Sequence, residues 1–587
     1  MSVSRILQIL AMFAVFAHLF SYSAFAAAPK ITSFSPATAT IGNMIIIKGS
    51  GFTGATSVKF NGVAASSFSV QSATSIKAVV PTTGSTGKIS VKTSGGTSTS
   101  SATFTMAPGV VLSVSSGHPY QKVTVNGAGF HAYTSLDLYF DTADQALATS
   151  DAKGVVTAQF SVPASAAFGS HWVTLQERGT FRAAQKSFSV YTNWTMEGFS
   201  VQGNSFNPYE RTLTVDNVSD LVPLWSAHID DFSNDAPVSE YAGNYYVVDV
   251  TGGINAFSSS GALLWSASPG AGSIPANRLL IYGGMVYYGG NDGVLRVYSV
   301  KCRTDGGVCS PSWSQKVANS ITSAPRVRGA TVYVPAADGN FYPVDATTHT
   351  VGAAVTYDSN AQGQINSPIS FDQAGNSAYA TAQYIHFHRA SNNSSGSYSL
   401  PGNISDPVMV DNSIYVTTSA GTIQSWSGRT WSSPTSGTNC QQTPVVSQGL
   451  VFAGGCTTLA AYSASDGTLR WSVSANYTAG FAVANGIVFS CTYKSGGFVG
   501  ALKAYAASSG NLLWSGGSCA GAPIVANGMV ASSVDSLIVY GLPSMLNGAN
   551  QKKAVDAPDP KTLKPNHSLS RQVVRPADIA AAVAQVE

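Results

Sequence analysis

The chain has 587 residues, too many for one ordinary domain, and its length alone suggests three or four units. Charged residues make up only 10% and the formal net charge is +3 with no basic stripe, which excludes a nucleic-acid footprint. Hydrophobic residues at 44%, with 57 glycines, exclude a disordered chain and fit a β-rich, loop-rich exported protein.

The first residues read as an export signal. Arg5 supplies a positive start, Ile6 to Phe20 is an apolar run broken only by Gln8 and His18, and Ala24-Phe25-Ala26 fits a small-x-small cleavage site. Residues 1–26 are therefore expected to be a signal peptide. A membrane anchor needs about 20 apolar residues, more than this run offers. No later stretch is long and apolar enough to span a membrane, so the mature protein is expected to be secreted or periplasmic, in the cell envelope.

Residues 29–107 read as short alternating strands between Gly, Ser and Thr turns. Met44-Ile45-Ile46-Ile47-Lys48 runs into Gly49-Ser50-Gly51-Phe52, and Asn61-Gly62 is a pair favoured in tight hairpins. Such a segment predicts a small β-sandwich. The opening Ile31-Thr32-Ser33-Phe34-Ser35-Pro36, the central Gly49-Ser50-Gly51-Phe52 and the late Val79-Val80-Pro81 resemble the IPT/TIG family of immunoglobulin-like modules. Residues 108–192 repeat the plan, with Gly127-Ala128-Gly129-Phe130 copying the Gly-x-Gly-Phe element. They are expected to form a second immunoglobulin-like domain, and 193–220 a linker.

From 221 to 542 the chain is repetitive. A small-Pro-apolar signal recurs at Pro237, Pro275, Pro325, Pro368, Pro407, Pro444 and Pro523, with Gly480-Phe481 in the equivalent place, at steps of 36 to 50 residues. A period near 40 with about four short strands predicts a β-propeller, because a single four-stranded sheet cannot bury both faces alone. Eight copies predict eight blades, the last completed by the strand at Leu221 to Ser226. The 50-residue step carries an insertion.

Trp225, Trp265, Trp313, Trp431, Trp471 and Trp514 fall at the closing position of six copies, where each is expected to bury about 150 to 250 Å² between blades. The copies around Phe341 and Phe387 lack this Trp and are expected to be less regular.

Six cysteines suit an oxidising compartment. Cys302 and Cys309 bracket a turn and are expected to pair. Cys440 and Cys456 are placed on neighbouring strands of one repeat, and Cys491 and Cys519 on strands of adjacent repeats. Other pairings of the last four remain open.

The Gly-x-Leu-x-Trp closings, the preceding Ala-Tyr or Ala-Phe, and the leader Asn207-Pro208-Tyr209 resemble the pyrroloquinoline-quinone (PQQ)-like repeat family of eight-bladed propellers. That family includes quinoprotein dehydrogenases and a non-catalytic outer-membrane assembly factor. For the dehydrogenases the resemblance implies a quinone near the axis, between a Trp and a disulfide of adjacent cysteines, above a calcium ion held by Glu, Asn and Asp. This chain has no adjacent cysteines, and glutamate is nearly absent from its repeats.

Elsewhere, Asp230 to Asp235 is dense in calcium-type oxygens but lacks EF-hand spacing. His386 and His388 share one strand face without a third metal ligand. No Gly-x-Ser-x-Gly elbow marks a nucleophile. No catalytic, cofactor-binding or metal residue is therefore assigned, and neither PQQ nor calcium is expected. Residues 543–587 are expected to be a disordered tail, with one short helix after Pro576. The whole reads as all-β: an eight-bladed β-propeller preceded by two immunoglobulin-like β-sandwiches. It is expected to be an exported, non-catalytic scaffold for a protein or glycan of the cell envelope. The alternatives are a quinoprotein dehydrogenase and a surface adhesin.

Overall fold

A computed structural model describes residues 28–229, 238–249, 251–269, 279–356, 364–426, 430–438, 442–455, 457–475, 478–493, 500–546 and 556–569. The expected signal peptide, the Asp230 to Asp235 loop, Cys440, Cys456 and the expected helix after Pro576 lie outside them. Apart from short 3-10 turns, every element is a strand.

In the first module apolar residues alternate with polar ones, so each strand has one dry face. Ile45 and Ile47 of Met44–Ser50 are fully buried while Met44 and Ile46 are exposed. This strand lies between Lys30–Ser35 and Ser75–Val79, with Ser67–Ser72 beyond. A second sheet, ordered Val63–Ala64, Ser57–Phe60, Ile89–Thr93 and Gly96–Thr99, closes the core, where Phe60 meets Phe104 edge-on at 5.2 Å. Residues 109–190 form a three-stranded and a five-stranded sheet over a shared core that includes Val125, Leu138, Val173 and Phe188.

Further on, the chain builds consecutive antiparallel sheets. Their first strands are Val238–Tyr241, Leu280–Tyr282, Arg326–Arg328, Ser370–Phe371, Val408–Val410, Val445–Ser447, Thr478–Ala484 and Ile524–Ala526, each at the inner edge of its own repeat's strands. Pro325, Pro407, Pro444 and Pro523 stand immediately before such strands, as suits a residue with no N–H to give a ladder. These first strands lie beside one another in series, and Ile524–Ala526 returns to Val238–Tyr241. Between the third and fourth, Arg326 spans the gap by donating to Ile369 O at 3.1 Å and to Ser370 Oγ at 2.8 Å. The last sheet takes its outer strand, Val222–His228, from the start of the series, paired with Ser536–Gly541.

The six predicted Trp residues lie on fourth strands and share one contact. Each reaches the chain just beyond the third strand of the next sheet or, for Trp514, the residue just before the outer strand of the next sheet. Trp471 Nε1 donates to Ala507 O at 2.9 Å, Trp431 to Ala464 O at 3.2 Å, and Trp265 to Val300 O at 3.4 Å. Trp514 donates to Leu221 O at 3.1 Å, which carries the pattern across the chain ends. Trp313 stacks on His349 at 5.2 Å, and Trp225 packs against Gly261. Gly510, at φ 76°, gives Trp471 its seat: a Cβ there would fall 2.6 Å from the indole.

The copies without Trp differ from each other. The third sheet has three strands, as expected of an irregular copy. The fourth has four, and on its fourth strand Tyr398 stacks on Trp426 at 4.8 Å.

Three expectations need correction. Cys491 and Cys519 do pair, with Cα atoms 5.8 Å apart, but within one sheet. They sit on Ile487–Tyr493 and Leu512–Cys519 and bridge over Gly500–Ala506, the strand between them. Gly500 lies opposite Cys519, and its missing side chain leaves room beside Cys491 Sγ. Cys302 and Cys309 are bonded within the insertion, which docks on the first sheet through Cys309 N to Ser266 O at 2.7 Å.

The segment expected as a disordered tail is partly held. Residues 556–569 lie along the second module, with Gln185 Nε2 donating to Pro558 O at 2.7 Å and Asn566 N to Asp144 Oδ2 at 2.7 Å. Leu563 is buried there. The third correction concerns the linker, which is built into the sheets as described below.

Replacing Trp471 by Ala is expected to destabilise the protein by about 3–5 kcal/mol in urea denaturation. Trp471→Phe should cost less, since it keeps most of the buried area and loses only the bond to Ala507. Leu469→Ala, on the same strand but 57% exposed, should change stability by no more than about 0.5 kcal/mol.

Candidate functional site

The inner edge of each sheet presents unpaired N–H and C=O groups toward the axis, and such groups need partners. Residues 192–207 supply them, sheet by sheet and in chain order. Trp194 exchanges two backbone bonds with Glu240, at 3.1 and 2.8 Å. Ile281 N donates to Thr195 O at 2.7 Å, and Arg326 Nη2 to Glu197 O at 3.1 Å. Phe371 N donates to Val201 O at 2.8 Å and Met409 N to Gln202 O at 3.0 Å. The Asn204 side chain takes both Val446 N and Val446 O, each at 2.8 Å. Val483 N donates to Ser205 O at 2.9 Å, and Phe206–Asn207 adds a parallel strand to Thr478–Ala484. Asn207 Nδ2 ends the circuit on Val525 O at 2.8 Å.

Buried polar side chains lock the circuit where it closes. Asn527 Oδ1 accepts from Thr192 N at 2.7 Å, while Thr192 Oγ1 accepts from Asn527 N at 2.8 Å. Glu210 accepts from Thr212 N, Leu213 N and Gly528 N at 2.7 to 3.1 Å. Glu240 is fully buried, and burial pushes its carboxyl up to about 8 from 4.5, opposed by the Gly243 and Trp194 amides and by the neighbouring Asn527. The Asn527 amide stands outside ordinary hydrogen-bond geometry, so Glu240 Oε2 and Asn527 Nδ2 both lack a bond. A neutral carboxyl is what such a site holds most cheaply. Burial also lowers the Arg326 guanidinium, against the nearby charges of Glu197 and Asp406.

Among the described residues, two cavities lie beside the circuit. One, of about 60 Å³, is lined by Glu197, Gly203, Arg326, Asp406 and Gln442 among others. The other, a cleft of about 420 Å³, opens between residues 199–209 and the hairpins at Asp411 and Gln448.

Among the described residues, those at the axis do not fit a quinone over calcium. The chain itself occupies the inner edges. The cavity at Arg326 is well below the roughly 300–1,000 Å³ of ligand pockets. Glu210, Asn204 and Asn207 spend their oxygens and amides on the chain's own backbone. The six Trp residues lie at the outer strands, and the disulfides at Cys302 and Cys491 join cysteines 7 and 28 residues apart, neither pair adjacent in sequence.

His386 is buried, stacked on Tyr379 at 4.8 Å and bonded to Thr381 Oγ1 at 3.2 Å, whereas His388 meets Asn393 Oδ1 at 3.0 Å. Among the described residues no group of three or more His, Cys, Asp or Glu side chains is placed to hold a metal.

Residues 29–106 match the IPT/TIG domain, and residues 456–582 match the family described as outer membrane protein assembly factor BamB, of PQQ-like repeats. The chain thus carries an IPT/TIG domain at residues 29–106 and is similar to PQQ-like repeats over residues 456–582. Among solved structures it is similar to the quinohemoprotein alcohol dehydrogenase of Comamonas testosteroni: 14% identity, 60% of this chain, 80% of that one, TM-score 0.47. It is also similar to BamB of Moraxella catarrhalis, with 12% identity, 55% of this chain, 98% of that one and a TM-score of 0.42. A europium-containing methanol dehydrogenase gives 14% identity, 64% and 96% coverage, and a TM-score of 0.47. No curated protein matches the chain.

Sequence reasoning took the axial segment for a linker. The signal that marks it is apolar content: Trp194, Met196, Phe199, Val201, Phe206, Tyr209 and Leu213 crowd a stretch that an exposed linker would fill with polar residues.

The raised Glu240 fixes a pH dependence. The native carboxyl holds a proton that the unfolded chain releases above about 4.5, so this group's contribution to stability is greatest below that pH and is lost as pH rises through about 8. The melting temperature of the protein is expected to fall across this window, and that of Glu240→Gln to fall less and to lie above it at about pH 8.

Proposed function

We propose that this is an exported, non-catalytic binding protein whose propeller is an interaction platform for a protein or glycan of the cell envelope. The observation that carries this reading is the circuit of residues 192–207, which commits the inner edges and the axial polar side chains to structure. A quinoprotein dehydrogenase would need that space for its cofactor.

In this reading the sheets from residue 221 to 542 are eight blades in a closed ring. Support comes from the serial contacts of their first strands, the return of Ile524–Ala526 to Val238–Tyr241, and the outer strand borrowed from Val222–His228. The modules at 29–107 and 108–192 are immunoglobulin-like spacers that carry the propeller. Residues 193–220 are its axial segment, and those after 542 a partly docked tail.

An envelope location is supported by the disulfides, which persist in oxidising compartments. It also agrees with the family match, whose description is that of an outer membrane protein assembly factor. Among the described residues no helix is long and apolar enough to cross a membrane.

The test is calorimetric titration of PQQ into the mature protein with calcium present, alongside reduction of an artificial electron acceptor with alcohols, aldoses and aldehydes. No binding heat at about micromolar quinone and no turnover are expected. One-to-one binding with turnover would establish the dehydrogenase instead.

A further inference from the structure

The cleft of about 420 Å³ beside the axial segment is a second feature of the propeller, and its lining has a distinct chemistry. Its walls carry aromatic rings held in place from behind. Phe199 sits at φ 61°, a left-handed conformation that a bulky residue rarely adopts, and rests edge-on against Trp194 at 5.2 Å. Tyr209 is stacked at 4.2 Å on His118 of the second module. Tyr415 leans on Trp431 at 6.1 Å. Rings fixed in this way lose little freedom when a ligand arrives.

The rim carries planar polar groups. Asp411 and Gln448 are exposed at the hairpins that follow the fifth and sixth first strands, and Gln202 projects from the axial segment between them.

This lining discriminates among ligand classes. It includes no Lys, Arg or His, and its one acid is Asp411, so an anion finds no counter-charge. A wholly apolar ligand would strand the amides and hydroxyls without partners. An extended peptide would seek a free strand edge, but Met409 and Val446 already give theirs to Gln202 and Asn204. What remains is a neutral molecule with apolar C–H faces for the rings and hydroxyls for the amides and carboxylate. The volume equals that of about fourteen water molecules, enough for one or two sugar rings.

We infer that this cleft is a saccharide subsite taking a neutral mono- or disaccharide unit of a glycan. It deepens the binding role proposed above and rests on it.

The experiment uses the full mature chain, titrated with maltotetraose, cellotetraose and chitotetraose by calorimetry and by saturation-transfer NMR. At least one is expected to bind with a Kd between about 10 μM and 1 mM. Asp411→Asn and Gln448→Asn are chosen because Asn tolerates the positive φ of both positions, 50° and 51°. Each should weaken binding roughly fivefold or more and leave the melting temperature unchanged.

The assignment is overturned if none of the three saccharides binds at about 10 mM, or if both variants bind like the parent. A blank saccharide panel with no quinone turnover removes the cleft assignment alone. Quinone turnover removes the binding-protein reading, whatever the saccharides do.

Discussion

Sheets arranged about an axis leave a row of inner strands whose outward-pointing peptide groups have no neighbour within their own sheet. Left buried without partners, such groups cost about 1–3 kcal/mol each. Here one segment serves them all, at roughly two residues per sheet, which is about 6–7 Å of extended chain. Because its contacts follow the order of the sheets, the segment also fixes their number and sequence. A missing sheet would put every later contact out of step. The four-residue step from Glu197 to Val201 shows how local exceptions are absorbed. There the Arg326 guanidinium reaches across and stands in for a backbone donor.

The outer rim is tied by a different interaction with the same logic. Each closing Trp belongs to one sheet by its backbone and to the next by its ring, so the six sheets that carry one are each tied to their successor. At the chain ends, Trp514 reaches Leu221 and Trp225 reaches Gly261, and the borrowed strand Val222–His228 joins last to first. Inner and outer closures converge on the final sheet. Thr192, Asn207 and Glu210 all bond to residues 525–528 there. Buried polar pairs of this kind are demanding: fully matched they specify one register, and half matched they weaken it. The neutral Glu240 carboxyl is the place where this network is least satisfied.

What could be read in the sequence divides along these two closures. The outer one rests on a repeated local pattern, Gly then Trp at fixed spacing, and so the repeats, their closing Trp residues and the borrowed strand were legible. The inner one rests on a segment that occurs once, with no copy to reveal it, and its bonds reach as far as from residue 192 to residue 527. Asn204, Asn207 and Glu210 look like ordinary loop residues until the sheets surround them. The sequence leaves the pairing of Cys491 with Cys519 as one of several and places the two on adjacent repeats, whereas the bond lies within one sheet. A bridge over an intervening strand depends on Gly500, and nothing in cysteine spacing signals that. The contact of residues 556–569 with the second module escaped for a similar reason: Pro and Lys dominate its composition, while its few anchors lie more than 350 residues away.

Filling the axis with the chain's own residues also decides where a ligand can be recognised. In an open propeller the convergent groups of the inner strands point into a central funnel. Here those groups are spent, and in the proposed binding role the first surface a ligand would meet is the flank of the axial segment where it faces the hairpins. That flank inherits rigidity from both sides, because Phe199 and Tyr209 are positioned by the segment while Asp411, Tyr415 and Gln448 are positioned by the sheets. The second module contributes His118 behind Tyr209. Its Ala164 O also accepts from Arg211 Nε at 2.9 Å, so the module is joined to the chain next to the cleft by side-chain contacts as well as by the backbone. A ligand that pressed on Tyr209 would be felt at the module junction through that stack. This is a physical route by which occupancy of the propeller could bear on how the modules are carried.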